Sequence, residues 1–203
     1  MTLKDTESIL EYWFGTLQGP TAFPTDRKKL WWMGGEEIDS EILSRFGPLV
    51  RAACEGGLEE WRRSARSSLA LVILLDQFTR SIYRRRPEAF SGDARAQSVV
   101  LEGIAAGRDT SLRPIERSFF YMPLMHAEDA ELAQKSLAMY KHLSDEIKKT
   151  CPEDHPDSQS HAKSHADIVL RFGRYPHRNA ILGRDSTPEE LDYLAGNAPR
   201  FGQ

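Results

Sequence analysis

The chain has 203 residues, of which 40% are hydrophobic and 28% are charged, and its formal net charge is −3. This balance is typical of a folded globular protein and excludes a disordered chain or a strongly basic nucleic-acid carrier. A chain of this length can bury a single hydrophobic core, so we expect one helical domain over residues 1–203.

Apolar residues recur at helical spacing through most of the chain, whereas hairpin turn signals and sustained alternation are missing. The pattern predicts helices over residues 6–17, 37–55, 58–83, 93–106, 114–126, 128–149 and 160–172, and a short element around Trp31 and Trp32. A last helix is expected after Thr187, where Pro188 and Glu190 complete a capping box. Pro48 is expected to kink or split its helix, and Pro123 to bend or end its own. We therefore predict an all-α fold of about eight antiparallel helices.

The most apolar stretch is LALVILL, residues 69–75. It is apolar on every face of a helix but far too short to cross a membrane, so it predicts the buried centre of the domain. The two cysteines, Cys54 and Cys151, are far apart and form no metal or disulfide pattern, and the N-terminus has no signal-peptide pattern. These features predict a cytoplasmic setting and no contact with a membrane.

The first polar cluster interrupts this apolar region in the sequence LLDQFTRSIYRRR. Asp76 and Arg80 stand four residues apart in the favourable order for a helical ion pair. They are expected either to form a buried structural pair, with Gln77 completing a hydrogen-bond network, or to bind a ligand.

The second cluster is YMPLMHAED, at a junction between two predicted helices. His126 beside Glu128 and Asp129 is suited to acid–base chemistry, because a neighbouring carboxylate orients the imidazole and favours its charged form. The alternative is structural, since Asp129 near a helix N-terminus can cap free backbone N–H groups.

The third cluster is RFGRYPHRNAILGRDST, residues 171–187, which contains four arginines before its first acid: Arg171, Arg174, Arg178 and Arg184. Guanidinium groups bind phosphate or carboxylate oxygens in pairs, and His177 and Asn179 add further hydrogen-bonding groups. The alternative is that the arginines neutralise Asp76, Glu128 or Asp129 within the fold. Both interpretations stay open on the sequence.

Other chemical motifs are weak or missing. His161 and His165 have the i, i+4 spacing of zinc ligands, but the glutamate of H-E-x-x-H is missing, so we predict neither a metal site nor a cofactor. Serine-hydrolase, dinucleotide and P-loop motifs do not occur. The Arg84–Arg86 run is expected to be solvated and the two tryptophans to be core residues, so we predict no nucleic-acid partner.

Several of these segments together resemble a bacterial domain-of-unknown-function family, number 924. The resemblance is carried, in order, by WFG, the paired tryptophans, LALVILLDQFTRSIYR, FFYMPLMHAED and RFGRYPHRNAILGRDSTPEE, and it spans nearly the whole chain. It implies a TPR-like α-α superhelix in a single domain and no reaction. The family's motif residues fall here on Asp76, Gln77, Arg80, Tyr83, His126, Glu128, Asp129, His165, Arg171, Gly173, Arg174, Pro176, His177, Arg178 and Asn179.

Taken together, these features predict a cytoplasmic helical-repeat protein whose polar groove binds a small anionic molecule or an acidic peptide. The predicted ligand-binding residues are Asp76, Gln77, Arg80, Glu128, Asp129, Arg174, Arg178 and Asn179. One alternative is an enzyme in which His126 or His177 exchanges a proton with a phosphate- or carboxylate-bearing substrate. Another is a protein-interaction scaffold without a small-molecule site. The sequence leaves the oligomeric state open.

Overall fold

A computed structural model of the protein describes residues 3–150 and 158–196. Cys151 lies outside these residues. The helices are α1 (Leu3–Phe14), α2 (Glu36–Cys54), α3 (Ala65–Val72), α4 (Thr79–Ile82), α5 (Asp93–Ala105), α6 (Pro114–Phe120), α7 (Met122–Met125), α8 (Ala130–Thr150), α9 (Ser158–Phe172) and α10 (Pro188–Ala195). No strand occurs in either described range, so the all-α prediction is confirmed.

The helix predicted over residues 58–83 begins later than expected. Residues Glu59–Arg63 form a separate 3₁₀ turn, and Ser64 then has extended backbone angles, with φ −127° and ψ 157°. The Ser64 side chain accepts a hydrogen bond from Ser67 N at 3.3 Å. Helix α3 therefore starts at Ala65 with an ordinary serine cap, which the apolar spacing alone did not reveal.

The prolines act differently from one another. Helix α2 continues through Pro48, so the predicted split is absent; Phe46 and Val50 are buried on either side and hold the helix against the core. The helix predicted over residues 114–126 is divided at Tyr121 into α6 and α7, and Pro123 lies in the first turn of α7.

The core surrounds the apolar stretch that was predicted to be central. Every residue from Leu69 to Leu75 is at most 3% exposed. Aromatic rings pack around this segment: the Trp13 ring lies 5.6 Å from that of Phe78 and 5.6 Å from that of Phe119. Of the two neighbouring tryptophans, Trp31 is buried as predicted, whereas Trp32 is 56% exposed and is not a core residue.

A π-helical turn, Ile73–Phe78, joins α3 to α4 without a break. A π turn contains an additional residue, so it changes which side chains face a neighbouring element, and such turns are frequent at functional sites. Gly92, just before α5, lies against this turn: a Cβ atom at Gly92 would be 2.2 Å from the carbonyl oxygen of Leu75. Only glycine permits this approach, which brings Asp93 at the start of α5 beside Arg80.

Helix α8 packs against α9, and a smaller apolar cluster that includes Ala133, Val169 and Tyr175 joins these helices to the segment that follows α9.

The described residues include no helix that is long and apolar enough to cross a membrane. The TPR-like superhelix implied by the family resemblance stays a prediction.

Candidate functional site

The π-helical turn carries two polar side chains into the core. Asp76 is 0% exposed, and Gln77 Nε2 donates to its Oδ2 atom at 2.5 Å. Arg80, one helical turn later, lies 3.3 Å from Asp76 Oδ1 and donates to the Asp76 main-chain oxygen at 2.8 Å. The predicted Asp76–Arg80 pair is therefore present. The guanidinium of Arg80 also makes two hydrogen bonds, at 2.9 and 3.1 Å, to Asp93, which the sequence did not single out.

His126 follows the last residue of α7 and directs its Nδ1 atom at Asp76. The distances from Nδ1 to the two carboxylate oxygens are 2.8 and 3.0 Å. The His126 side chain is 15% exposed, although its partner carboxylate is fully buried. Because the ionised carboxylate accepts a hydrogen bond from Nδ1–H, the ring is oriented and Nε2 is the nitrogen that can exchange a proton with other groups.

Burial alone would raise the pKa of Asp76, because it disfavours the charged form. The charges of Arg80 and His126, with hydrogen bonds from His126 and Gln77, outweigh burial and hold the pKa of this carboxyl well below its usual range. Asp76 is therefore a buried anion, and the His126 ring contacts it directly.

Arg178 reaches the same place from the short 3₁₀ turn Pro176–Arg178. Its guanidinium lies between two aromatic rings, 4.7 Å from the centre of Phe90 and 4.4 Å from the centre of Tyr175. Its Nη1 atom donates to the main-chain oxygen of His126 at 3.1 Å and lies 3.7 Å from Asp93 Oδ2. Burial and the nearby charge of Arg80 lower the pKa of Arg178. Its Nε atom is buried and has no hydrogen-bond partner within the described part of the chain.

These residues form one group, the His126 cluster: Asp76, Gln77, Arg80, Asp93, His126 and Arg178. His165 of α9 lies beside it, with its ring centre 5.9 Å from that of His126. His165 Nδ1 donates to the main-chain oxygen of His161 at 2.8 Å. Burial, with a smaller contribution from His126, lowers the pKa of His165 to about 3, so this ring is neutral at physiological pH.

Two of the predicted ligand-binding residues, Arg174 and Asn179, bond to Glu190 of α10. Arg174 donates through Nε and Nη2 to the two Glu190 oxygens at 2.6 and 2.7 Å, and Asn179 Nδ2 donates to Glu190 at 3.2 Å. The predicted capping box of Thr187 and Glu190 is present and shares the same carboxylate. This Glu190 network, comprising Arg174, Asn179, Thr187 and Glu190, supports a structural role for the stretch that carries it.

Glu128 and Asp129 have partners at the start of α8. Arg184 makes two hydrogen bonds to Glu128, at 2.6 and 2.9 Å, and Tyr175 N donates to Glu128 at 2.7 Å. Burial would raise the pKa of Glu128, but these bonds lower it. Asp129 Oδ1 accepts from Leu132 N at 2.8 Å, which is the capping geometry considered from the sequence.

His177 lies at one side of this region, with its ring centre 5.4 Å from that of Tyr175. A cavity of about 250 Å³ lies elsewhere, between α1, α3 and α6, and its lining includes none of the His126 cluster. The cluster is thus a densely bonded polar group reached through the partly exposed edge of His126.

Fold and site together define an all-α protein with a buried aspartate–histidine–arginine cluster in its core. Residues 9–198 match the model of the family described as a bacterial protein of unknown function, DUF924, and the chain belongs to that family. A solved structure of a protein of unknown function from Agrobacterium tumefaciens is 33% identical to the chain, with a TM-score of 0.81 over 96% of this chain and 98% of the other. The comparison with curated proteins found no match.

Proposed function

We propose that the chain binds a small anion at the His126 cluster and that binding requires the protonated form of His126. The observation that carries this proposal is the contact of His126 Nδ1 with the fully buried carboxylate of Asp76. The anion is a carboxylate or a phosphate group, held by the partly exposed edge of the His126 ring and by the guanidinium of Arg178.

The charges of the cluster explain why protonation matters. The acids Asp76 and Asp93 balance the arginines Arg80 and Arg178, so the cluster is neutral when His126 is neutral. A proton on His126, whose side chain is 15% exposed, gives the cluster a net positive charge. Anion binding is therefore accompanied by proton uptake, and the affinity falls as the pH rises.

The cost of the arrangement also supports a function. Charged groups in a core contribute less to stability than well-packed apolar side chains of the same volume. Here two acids and two arginines interrupt the most apolar helix of the chain and the elements beside it, and a π-helical turn presents the key aspartate. This combination is more typical of a site than of a region selected for stability alone.

The remaining predicted ligand-binding residues have positioning roles in this proposal. Gln77 orients Asp76, while Arg174 and Asn179 fix the segment that carries Arg178 through their bonds to Glu190. Glu128 and Asp129 secure the start of α8 beside His126. The cytoplasmic setting expected from the sequence is retained as part of the proposal.

The test is isothermal titration calorimetry with sulfate and with acetate, which keep their charge between about pH 6 and pH 8, and with a short polyaspartate peptide. We expect affinity at least about tenfold higher at the lower pH, and loss of binding in His126→Gln. The control is His142→Gln, because His142 is exposed on α8. Circular dichroism checks that each variant is folded. Binding that is unchanged in His126→Gln, or that is undetectable with every anion at both pH values, would refute the proposal.

The second candidate function is acid–base catalysis, and the same Asp76–His126 contact favours it. A histidine whose Nδ1 is held by a buried carboxylate can accept and return a proton through Nε2. Hydrolysis of p-nitrophenyl esters and phosphates is a suitable assay. The rate should be lost in His126→Gln and strongly reduced in Asp76→Asn. It should be kept in His177→Gln; a loss there instead would identify His177 as the acid–base residue. Equal rates in wild type and His126→Gln would exclude this role for His126.

A further inference from the structure

Asp93, the first residue of α5, is the second acid of the His126 cluster. Its two oxygens accept hydrogen bonds from Arg80 at 2.9 and 3.1 Å, and its Oδ2 atom lies 3.7 Å from Arg178 Nη1. The same Nη1 atom donates to the main-chain oxygen of His126 at 3.1 Å. One guanidinium nitrogen therefore connects the Asp93 carboxylate to the residue at the centre of the proposed anion site.

The ionisable side chains of the cluster differ in exposure. Those of His126 and Asp93 are each 15% exposed. The other three are more buried: Arg80 is 12% exposed, Arg178 is 7% exposed and Asp76 is 0% exposed. Because Arg178 contacts both His126 and Asp93, an anion on the exposed edge of the His126 ring lies near the negative charge of Asp93.

The titratable groups next to the cluster add no net charge. Glu128 accepts two hydrogen bonds from Arg184, at 2.6 and 2.9 Å, so this acid is compensated. Burial lowers the pKa of His165 to about 3 and raises the pKa of Tyr175, so both are neutral at physiological pH. The charge that an anion meets is therefore that of the cluster itself, which is one positive charge when His126 is protonated.

We propose that the His126 cluster selects anions that carry a single negative charge, the class of monocarboxylates and phosphodiesters, and that Asp93 sets this limit. This inference rests on the proposed function and adds the class of ligand. One negative charge neutralises the protonated cluster. A second charge would have no uncompensated partner, would be repelled by Asp93, and would lose more of its hydration on entering a partly buried site.

Methanesulfonate and sulfate are a matched pair for the test, because both have a tetrahedral sulfur centre and they differ by one charge. Isothermal titration calorimetry uses the full chain at about pH 6, with equal ionic strength and equal chloride for both anions. We expect methanesulfonate to bind at least about tenfold more tightly than sulfate. Acetate and dimethyl phosphate should also bind more tightly than sulfate, and the tighter of the two distinguishes a carboxylate ligand from a phosphodiester.

Replacement of Asp93 by asparagine removes one negative charge with little change of shape. The affinity for sulfate should then rise at least about tenfold relative to that for methanesulfonate, because the protonated cluster has gained a second uncompensated positive charge. Asp93→Glu keeps the charge and should keep the wild-type preference. The control is Glu88→Gln, which removes the charge of a 48% exposed residue outside the cluster and should leave the ratio unchanged. Circular dichroism checks that each variant is folded.

Sulfate that binds the wild type as tightly as methanesulfonate would overturn the proposal, whether or not Asp93→Asn folds. A folded Asp93→Asn protein with the wild-type ratio of affinities would overturn the role of Asp93. If the two anions bind equally and His126→Gln abolishes both, the anion site stands and only its charge limit is rejected. The two proposals therefore fail separately.

Discussion

Replacement of Glu190 by glutamine tests whether the hydrogen bonds to Glu190 hold the stretch from Arg174 to Thr187 in place. Glu190 is 2% exposed, and its carboxylate accepts hydrogen bonds from Arg174, Asn179 and the N–H of Thr187. The bond from Arg174 is the main reason that the pKa of Glu190 is lowered from 4.5 to about 2. At about 1.4 kcal/mol per pH unit this corresponds to about 3 kcal/mol. Because the Arg174 side chain is 28% exposed and water screens the pair, we expect about 1.5 kcal/mol.

The sign of the pH dependence follows from the direction of this change. A carboxyl with a lowered pKa in the folded state stabilises the protein above pH 4.5, and the contribution disappears as the pH falls toward 2. Urea denaturation at neutral pH should therefore show Glu190→Gln to be less stable by about 1.5 kcal/mol, and the difference should shrink on acidification. The neighbouring Glu189→Gln is the matched control, because Glu189 is 63% exposed and pairs with the exposed Arg171. Equal effects of the two substitutions at every pH would refute the structural role of Glu190.

Three further substitutions test the surroundings of His126. Asp76→Asn should destabilise the protein by about 3 kcal/mol in urea denaturation, because it leaves the charge of a buried ion cluster uncompensated; a change below about 1 kcal/mol would contradict this. His165 has a pKa of about 3 in the folded state, so its contribution to stability should fall by up to about 1.4 kcal/mol per pH unit as the pH drops below 6.5. His165→Gln should flatten that slope. Gly92→Ala should cost about 2 kcal/mol, because its Cβ would lie 2.2 Å from Leu75 O. Gly47→Ala should change stability little, because its Cβ would meet the flexible ends of Leu43 at 3.1 Å and Arg51 at 3.8 Å.

Local sequence patterns predicted the helices well where the signal was itself local. The apolar run from Leu69 to Leu75 identified the centre of the core, and the Thr187–Glu190 pattern identified the start of α10. The late start of α3 was missed because the apolar spacing begins before the chain reaches its serine cap at Ser64. The π-helical turn was missed because no residue pattern within Ile73–Phe78 distinguishes it from an α-helix.

The candidate site was predictable in its members but not in its pairings. Asp76, Arg80 and His126 stood out because polar residues interrupted apolar helices, and the structure brings them together. Asp93 was not singled out, because nothing in the local sequence indicates that it shares Arg80 with Asp76. Ion pairs such as Arg184 with Glu128 join residues far apart in the chain, so only the packing of α8 and α9 can decide them.

The pairings also decide how the arginine-rich stretch contributes to function. Of its guanidinium groups, those of Arg174 and Arg184 make two hydrogen bonds each to a carboxylate of the same chain, and this geometry is the one an anionic ligand would otherwise use. Arg178 differs, because it is buried between aromatic rings and its Nη1 atom lies 3.7 Å from Oδ2 of Asp93, which also binds Arg80. Its Nε atom has no hydrogen-bond partner among the described residues. The paired arginines therefore fix the segment, and Arg178 is the member of the stretch whose charge acts on the His126 cluster. Substitution of Arg174 should consequently affect stability first, whereas conservative replacement of Arg178 by lysine should affect anion binding at His126 first.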